Sequence, residues 1–171
     1  MLPDFKELLK CFNAQGVKYL VVGGYAVSFY AQPRATKDLD IFIKADADNA
    51  KAVYAALASF GARLQGITVE DLADPTKFVR LGHEPVAVDL LTVIDGVEFD
   101  AAWGRRVAGV IDVATGLTAF FISESDLVAS KIAAGRTRDL ADVEDIQEAA
   151  RQTGRDEETR TERKPGKSGQ Q

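Results

Sequence analysis

The chain holds 171 residues, 46% of them hydrophobic and 27% charged, with a formal net charge of −5. Those proportions describe an ordinary globular domain with enough apolar residues for a real core. No apolar run approaches the roughly 20 residues that a bilayer-spanning helix needs, and an acidic body does not suit a protein that grips extended nucleic-acid duplex through many Lys and Arg contacts.

Hydrophobic period and Gly/Pro punctuation predict the elements in chain order. Met1 to Lys10 mixes charges into a helical pattern instead of forming a signal peptide, which points to a cytoplasmic protein. Asp4 to Gln15 carries Phe5, Leu8, Leu9 and Phe12 on one helical stripe and stops at Gly16; Cys11, the single cysteine, falls beside that stripe as a packing residue. Val17 to Val22 reads as a short strand, interrupted by Gly23-Gly24, and Tyr25 to Ala31 reads as a helix ended by Pro33. A second strand, Asp38 to Ile43, leads to a helix that begins at Asp46, runs through Val53, Ala56 and Leu57, and stops at Gly61.

Arg63 to Pro75 has no clear period and is expected to be loop with at most a short helical turn. Lys77 to Leu81 and Val86 to Thr92 form a predicted hairpin around Gly82-His-Glu-Pro85, and His83, the only histidine, is expected at the surface of that turn. Val107 to Val113 and Leu117 to Ile122 make a second strand pair around Ala114-Thr-Gly116, with Trp103 ahead of it as a core residue. Ser123 caps a helix to Ala134, with Asp126 as an imperfect capping-box partner, and Arg138 to Ala150 is the last helix. Arg151 to Gln171 carries six basic and four acidic residues, no apolar period and a Lys-Pro-Gly-Lys-Ser-Gly ending, so it reads as a disordered tail. The expected organisation is a core over residues 1–122, a helical subdomain over 123–150 and a tail over 151–171. Its fold class is α/β (α+β), a mixed β-sheet with flanking helices and a short C-terminal helical extension.

Three carboxylates carry the chemistry. The strand period of two projects Asp38 and Asp40 from one face while Leu39, Ile41 and Ile43 cover the other, and Asp89 sits inside the apolar run Val86-Ala-Val-Asp-Leu-Leu. Like charges at close range cannot all ionise unless a cation compensates them, so the trio suits a divalent metal. Asp89, if buried, must be paired, protonated or coordinated, and Arg34 or Lys37 could serve as a salt-bridge partner. Gly23-Gly24, between a strand and a helix, offers backbone N–H groups and a helix N-terminus to a phosphate. No Walker-type Gly-x-x-x-x-Gly-Lys-[Ser/Thr] run exists.

Taken in order, Gly23-Gly24-Tyr-Ala-Val, Arg34-Ala-Thr36-Lys-Asp38-Leu-Asp40-Ile and Val88-Asp89-Leu-Leu resemble the nucleotidyltransferase superfamily that includes DNA polymerase beta. The resemblance is nearest to small bacterial proteins similar to the nucleotidyltransferase toxins of abortive-infection and toxin–antitoxin systems, and to aminoglycoside and lincosamide nucleotidyltransferases. It spans about Val17 to Leu91 and extends to Asp126–Lys131 and Gly135–Leu140. It implies that Asp38 and Asp40 bind two Mg2+ ions, with Mn2+ as the alternative, and that Asp89 is the third carboxylate, positioning or deprotonating an acceptor hydroxyl. Gly23 and Gly24 would cradle a nucleoside triphosphate, with ATP expected, and Arg34, Thr36 and Lys131 would add contacts; Arg34 could equally pair with Asp38 or Asp40. Arg136 and Arg138 carry charge that could reach the same ligand. One departure is Tyr25 where many members carry Ser, a hydroxyl that Ser28 would have to supply.

The implied activity is transfer of a nucleoside monophosphate to a hydroxyl of an RNA end, a protein or a small molecule, with release of pyrophosphate. The alternative is a non-catalytic, antitoxin-like module that binds a protein partner encoded by a neighbouring gene. Neither reading calls for a membrane or an extended nucleic-acid duplex.

Overall fold

The structure is a computed structural model and describes residues 1–83 and 86–162. In α1 (Pro3–Ala14), Phe5, Leu8, Leu9 and Phe12 recur at the helical interval and all four are buried. Gly16, at φ +65°, turns the chain toward β1 (Tyr19–Val21). Then come α2 (Gly23–Tyr30), β2 (Leu39–Ile43) and α3 (Ala47–Phe60), whose Asp46 cap accepts a 2.7 Å hydrogen bond from the Asn49 amide. In the stretch expected to be loop, Thr68 and Asp71 form a reciprocal capping box that starts α4 (Val69–Ala73), and Leu72 is buried beneath it.

The hairpin strands are β3 (Phe78–His83) and β4 (Val86–Leu91). His83 therefore lies in a strand, not in the turn, because the ladder runs two residues further than the Gly82 signal implied; Glu84 and Pro85 lie outside the described residues. A short helix that no periodicity announced, α5 (Phe99–Gly104), precedes β5 (Val107–Asp112) and β6 (Leu117–Phe121). Its Trp103 is half-buried against the core, with the Arg106 guanidinium 4.0 Å over its ring. The chain closes with α6 (Glu124–Ala134) and α7 (Thr137–Glu162). The last helix thus runs past Ala150; of the expected tail, Arg151 to Glu162 continue it and 163–171 lie outside the described residues.

All six strands form one mixed sheet in the order β3-β4-β2-β1-β6-β5. β2 runs antiparallel to β1 and parallel to β4, and β1 runs parallel to β6. Leu39, Ile41 and Ile43 are fully buried in a single hydrophobic cluster with Leu8, Leu9, Phe12, Val53 and Leu57, and Cys11 packs half-buried at its margin. The architecture is the α/β fold expected, with α6 and α7 paired at the C-terminal end. Among the described residues no helix is long and apolar enough to cross a membrane.

The orientation of α6 rests on Asp126. The Ser123 hydroxyl accepts from the Asp126 amide at 3.2 Å and donates to its carboxylate at 2.6 Å. Arg105, just after α5, grips the same carboxylate through both nitrogens of its fork, at 3.0 and 2.6 Å. Burial alone would raise the carboxyl pKa, but the Arg105 and Ser123 hydrogen bonds outweigh it and hold it below the ordinary value of 3.8. A lowered folded-state pKa contributes stability that is present above the unfolded value and is lost as pH falls through the folded one. Asp126→Asn is therefore expected to lower the melting temperature at pH 7, by an amount that shrinks as the pH is taken below 3.8; melts of both proteins across that range measure it.

Candidate functional site

Strand register builds the site. In the parallel β2/β4 pair Asp40 stands opposite Asp89, and in the antiparallel β3/β4 pair Asp89 stands opposite Arg80. Asp40, Asp89 and Arg80 thus form one row across three adjacent strands, each about 4.8 Å from the next. Asp38, two residues before Asp40, projects from the same face. Arg80 spans the two outer carboxylates: its Nη2 lies 3.1 Å from Asp38 Oδ2 and its Nη1 3.2 Å from Asp89 Oδ2. The partner of Asp89 is therefore Arg80, not Arg34 or Lys37. Asp38 Oδ1 also accepts the Ala87 N–H at 3.1 Å, which ties β2 to β4 beyond the ladder.

The row carries more negative charge than Arg80 offsets. Asp40 is pushed up to about 6 by burial first and then by the neighbouring Asp89 and Asp38 carboxylates, against the opposing pull of the Gly24 amide and the Lys131 ammonium. Asp89 is also raised, chiefly by burial and further by Asp38, although Arg80 acts in the other direction. Asp89 is only 8% exposed, and its Oδ1 is buried with no hydrogen-bond partner. As they stand, with Arg80 set between Asp38 and Asp89, no three or more His, Cys, Asp or Glu among the described residues form a group that could hold a metal ion. Arg80 is the site residue that the sequence reading missed.

The glycine pair is dictated by close approach. Gly23 opens α2, where an interruption ahead of a helix beginning at Tyr25 was expected, and it adopts φ +59°. A Cβ at Gly23 would overlap the Asp40 carboxylate, and one at Gly24 would come within 2.5 Å of the Thr36 hydroxyl. The backbone at the start of α2 therefore lies directly against the acidic row. Thr36 itself turns its hydroxyl toward the Asp38 carbonyl at 3.4 Å. Ser28, the residue that would supply a phosphate-loop hydroxyl, donates to the Gly24 carbonyl at 3.0 Å and accepts the Arg34 N–H at 3.4 Å.

Lys131 and Arg34 belong to a second charged assembly. The buried Lys131 ammonium lies 3.0 Å from Asp139 and 2.6 Å from Asp142, and Arg34 Nη2 reaches the same Asp142 oxygen at 3.0 Å. Arg34 thus pairs with neither Asp38 nor Asp40, and its Nε is buried without a partner. Arg136 closes the group through Asp139 at 2.5 Å. Burial opposes ionisation of Asp139, but the hydrogen bonds from Arg136 and Lys131 keep its pKa low. The assembly fastens α6 and α7 to the segment leading into β2.

Two cavities meet at Gly23, Asp40, Lys131, Arg136 and Asp139. One, of about 690 Å³, is lined by Gly24, Arg34, Thr36, Lys37, Asp38 and Arg138 as well. The other, of about 380 Å³, includes Asp89 and the apolar Phe78, Val93, Ile94 and Leu127. All eight residues singled out as candidates, Gly23, Gly24, Arg34, Thr36, Asp38, Asp40, Asp89 and Lys131, line one or both.

Compared with known proteins, residues 3–151 match a family described as nucleotidyltransferase of unknown function (DUF6036). No curated protein matches the chain.

Gly23 gives a direct test of the geometry. Gly23→Ala places a side chain in the left-handed region, at about 1–2 kcal/mol, and also displaces Asp40. A loss of at least that size is expected in urea unfolding, larger than for Gly66→Ala, whose φ is +81° but whose added Cβ meets nothing within 4 Å.

Proposed function

The chain belongs to this nucleotidyltransferase family, and from that premise we propose that it transfers a nucleoside monophosphate from a triphosphate, ATP first among them, to a hydroxyl acceptor in a metal-dependent reaction. The observation that carries the reading is the row of Asp40 and Asp89, with Asp38 beside it, set against the glycine-opened start of α2. The donor set is all carboxylate oxygen, the type that a hard divalent cation such as Mg2+ or Mn2+ prefers, one oxygen of Asp89 has no partner, and Asp40 is raised to about 6 by burial and then by its acidic neighbours; Arg80 would have to release Asp38 and Asp89 for the three to hold an ion. Asp38, Asp40 and Asp89 would hold the metal, which supplies charge neutralisation on the phosphates and a more acidic acceptor hydroxyl.

The chain's own residues divide the remaining work. Gly23 and Gly24 at the start of α2 cradle the phosphates, the Gly24 amide being shared with the Asp40 carboxylate, and Lys37 and Arg138 face the same cavity as further cations. Lys131 and Arg34 are held by Asp139 and Asp142, so they position α6, α7 and the approach to β2. The acceptor oxygen forms a bond to the α-phosphorus as the bond from that phosphorus to the bridging oxygen breaks. Pyrophosphate leaves, and Asp89, its pKa already raised, takes the hydroxyl proton.

A specific observation also favours a second reading. Arg80 pairs with Asp38 and with one oxygen of Asp89 without any ion, which suits a non-catalytic module binding a protein partner, such as the product of a neighbouring toxin–antitoxin gene. The two readings separate experimentally. Incubated with Mg2+, labelled triphosphates and pools of tRNA, protein and small hydroxyl compounds, the enzyme labels one pool, and Asp89→Asn lowers the rate by about 10²–10⁴-fold. A stable complex with a co-purifying protein and no turnover of any triphosphate supports the binding module instead. Arg80 gives a second measurement. Removing the built-in cation in Arg80→Gln is expected to tighten Mn2+ binding roughly tenfold, about 1.4 kcal/mol, by paramagnetic titration; unchanged or weaker binding would mean that Arg80 does not compete for the site.

A further inference from the structure

The two edges of the sheet are unlike. β3, at one end of the strand order, carries Arg80 and starts beside Lys77, and charge along an edge strand discourages further pairing. β5, at the other end, runs Val107-Ala-Gly-Val-Ile111 with neither charge nor proline, and two of its valines stand open, Val107 at 37% exposure and Val110 at 60%. Gly109 extends this apolar surface onto one face of the sheet. A Cβ there would come within 2.6 Å of the Phe29 ring, which stacks on Phe121 with centroids 4.2 Å apart and is itself 40% exposed. Unpaired backbone N–H and C=O groups bordered by apolar side chains form a template for one more strand.

From this we infer that the β5 edge docks a second copy of the chain, β5 against β5 in antiparallel sense about a two-fold axis at Gly109, joining two six-stranded sheets into one. Charge selects that partner. Arg106 lies just before the apolar run and Asp112 just after it. Antiparallel pairing centred on Gly109 sets Ala108 opposite Val110 on each side of the axis and brings Arg106 of each copy beside the Ile111-Asp112 end of the other. A parallel copy in the same register would set Arg106 against Arg106 and Asp112 against Asp112. Arg105 takes no part, being held by Asp126 through both nitrogens of its fork. Arg106 stacks over Trp103 and makes no ion pair among the described residues, whereas Asp112 already has Lys6 at 3.0 Å and would share it. The end pairs therefore fix direction, while the backbone ladder and the valines supply the attraction. A bulge between Val110 and Asp112 ends the regular ladder and keeps the joint short. Pairing of β5 with β3 of another copy would leave a free edge at each end and grow without closure, whereas β5 with β5 closes at two chains. The inference stands apart from the transfer reading, since β6 and β1 separate β5 from β2 and the joint covers neither acidic row.

Sedimentation velocity on the full chain tests this. The wild-type protein is expected at twice its chain mass of 18.5 kDa. Val110→Lys, which puts a charge at an exposed position beside the axis, is expected at a single mass with an unchanged far-ultraviolet circular dichroism spectrum. Arg106→Glu and Asp112→Lys each oppose like charges across the axis and should weaken the dimer about tenfold. Mixed in equal amounts, these two variants restore both opposite-charge pairs in the heterodimer, and the double mass should return. A folding defect in either variant could not produce that recovery. A wild-type mass of one chain at about 100 μM, where a dimer of micromolar Kd is nearly all formed, would overturn the inference. So would a dimer indifferent to Val110→Lys, or a mixture no more dimeric than its separate parts, since either places the interface or its register elsewhere.

Discussion

Register is the constraint on which the site depends. Asp40, Asp89 and Arg80 share one row because β2, β4 and β3 pair as they do, and a slip of one residue in any of them would carry a charge to the opposite face of the sheet. The hydrophobic residues enforce the alignment. Leu39 and Ile41 alternate with Asp40, and both are fully buried, so β2 can expose its acids only by burying its neighbours. The packing energy of one face is thereby coupled to like-charge crowding on the other. Arg80 relieves part of that crowding, and what is left adds to burial in raising the pKa of Asp40.

The second constraint is the charged group behind the cleft. Buried ion pairs add little net stability, since desolvation offsets much of their attraction, but removing one partner leaves an uncompensated charge. Lys131, Asp139, Asp142 and Arg34 therefore act mainly to specify geometry. They allow one placement of the helical pair relative to β2, and that placement creates a cavity on each side of Asp40. The family assignment agrees with this extent, for the match runs through α6 and most of α7.

Much of the fold was legible because local signals were unambiguous. The stripe in α1, the Asp46 and Ser123 caps and the Gly61 stop each specify an element without tertiary help. The three aspartates were legible through strand period and order along the chain. Arg80 was not, because its partner depends on register: a turn over Gly82 to Pro85 pairs Leu81 with Val86 and leaves Arg80 opposite Ala87, whereas the ladder continues to His83 and sets Arg80 against Asp89. Lys131 was legible as a site-facing cation but not as a buried one. Its partners lie 8 and 11 positions away, across the turn at Gly135, beyond any spacing within one helix. Trp103 was read as core, yet α5 around it is only six residues long, too short for a period to show.

The tie between Arg34 and Asp142 spans 108 positions and bears on how the protein is made. When β2 has left the ribosome, Asp38 and Asp40 are already part of the growing chain, but the helix that anchors their approach is still to be synthesised. β6, which pairs with β1 through Val21 and Phe121, also arrives late. Such long-range closure slows folding, since loop entropy is lost before the contacts that repay it can form. A nascent chain therefore carries its acidic row without a cleft around it, and the site becomes complete only when α7 has been made and docks, so that assembly of the pocket waits on the last of these elements to emerge.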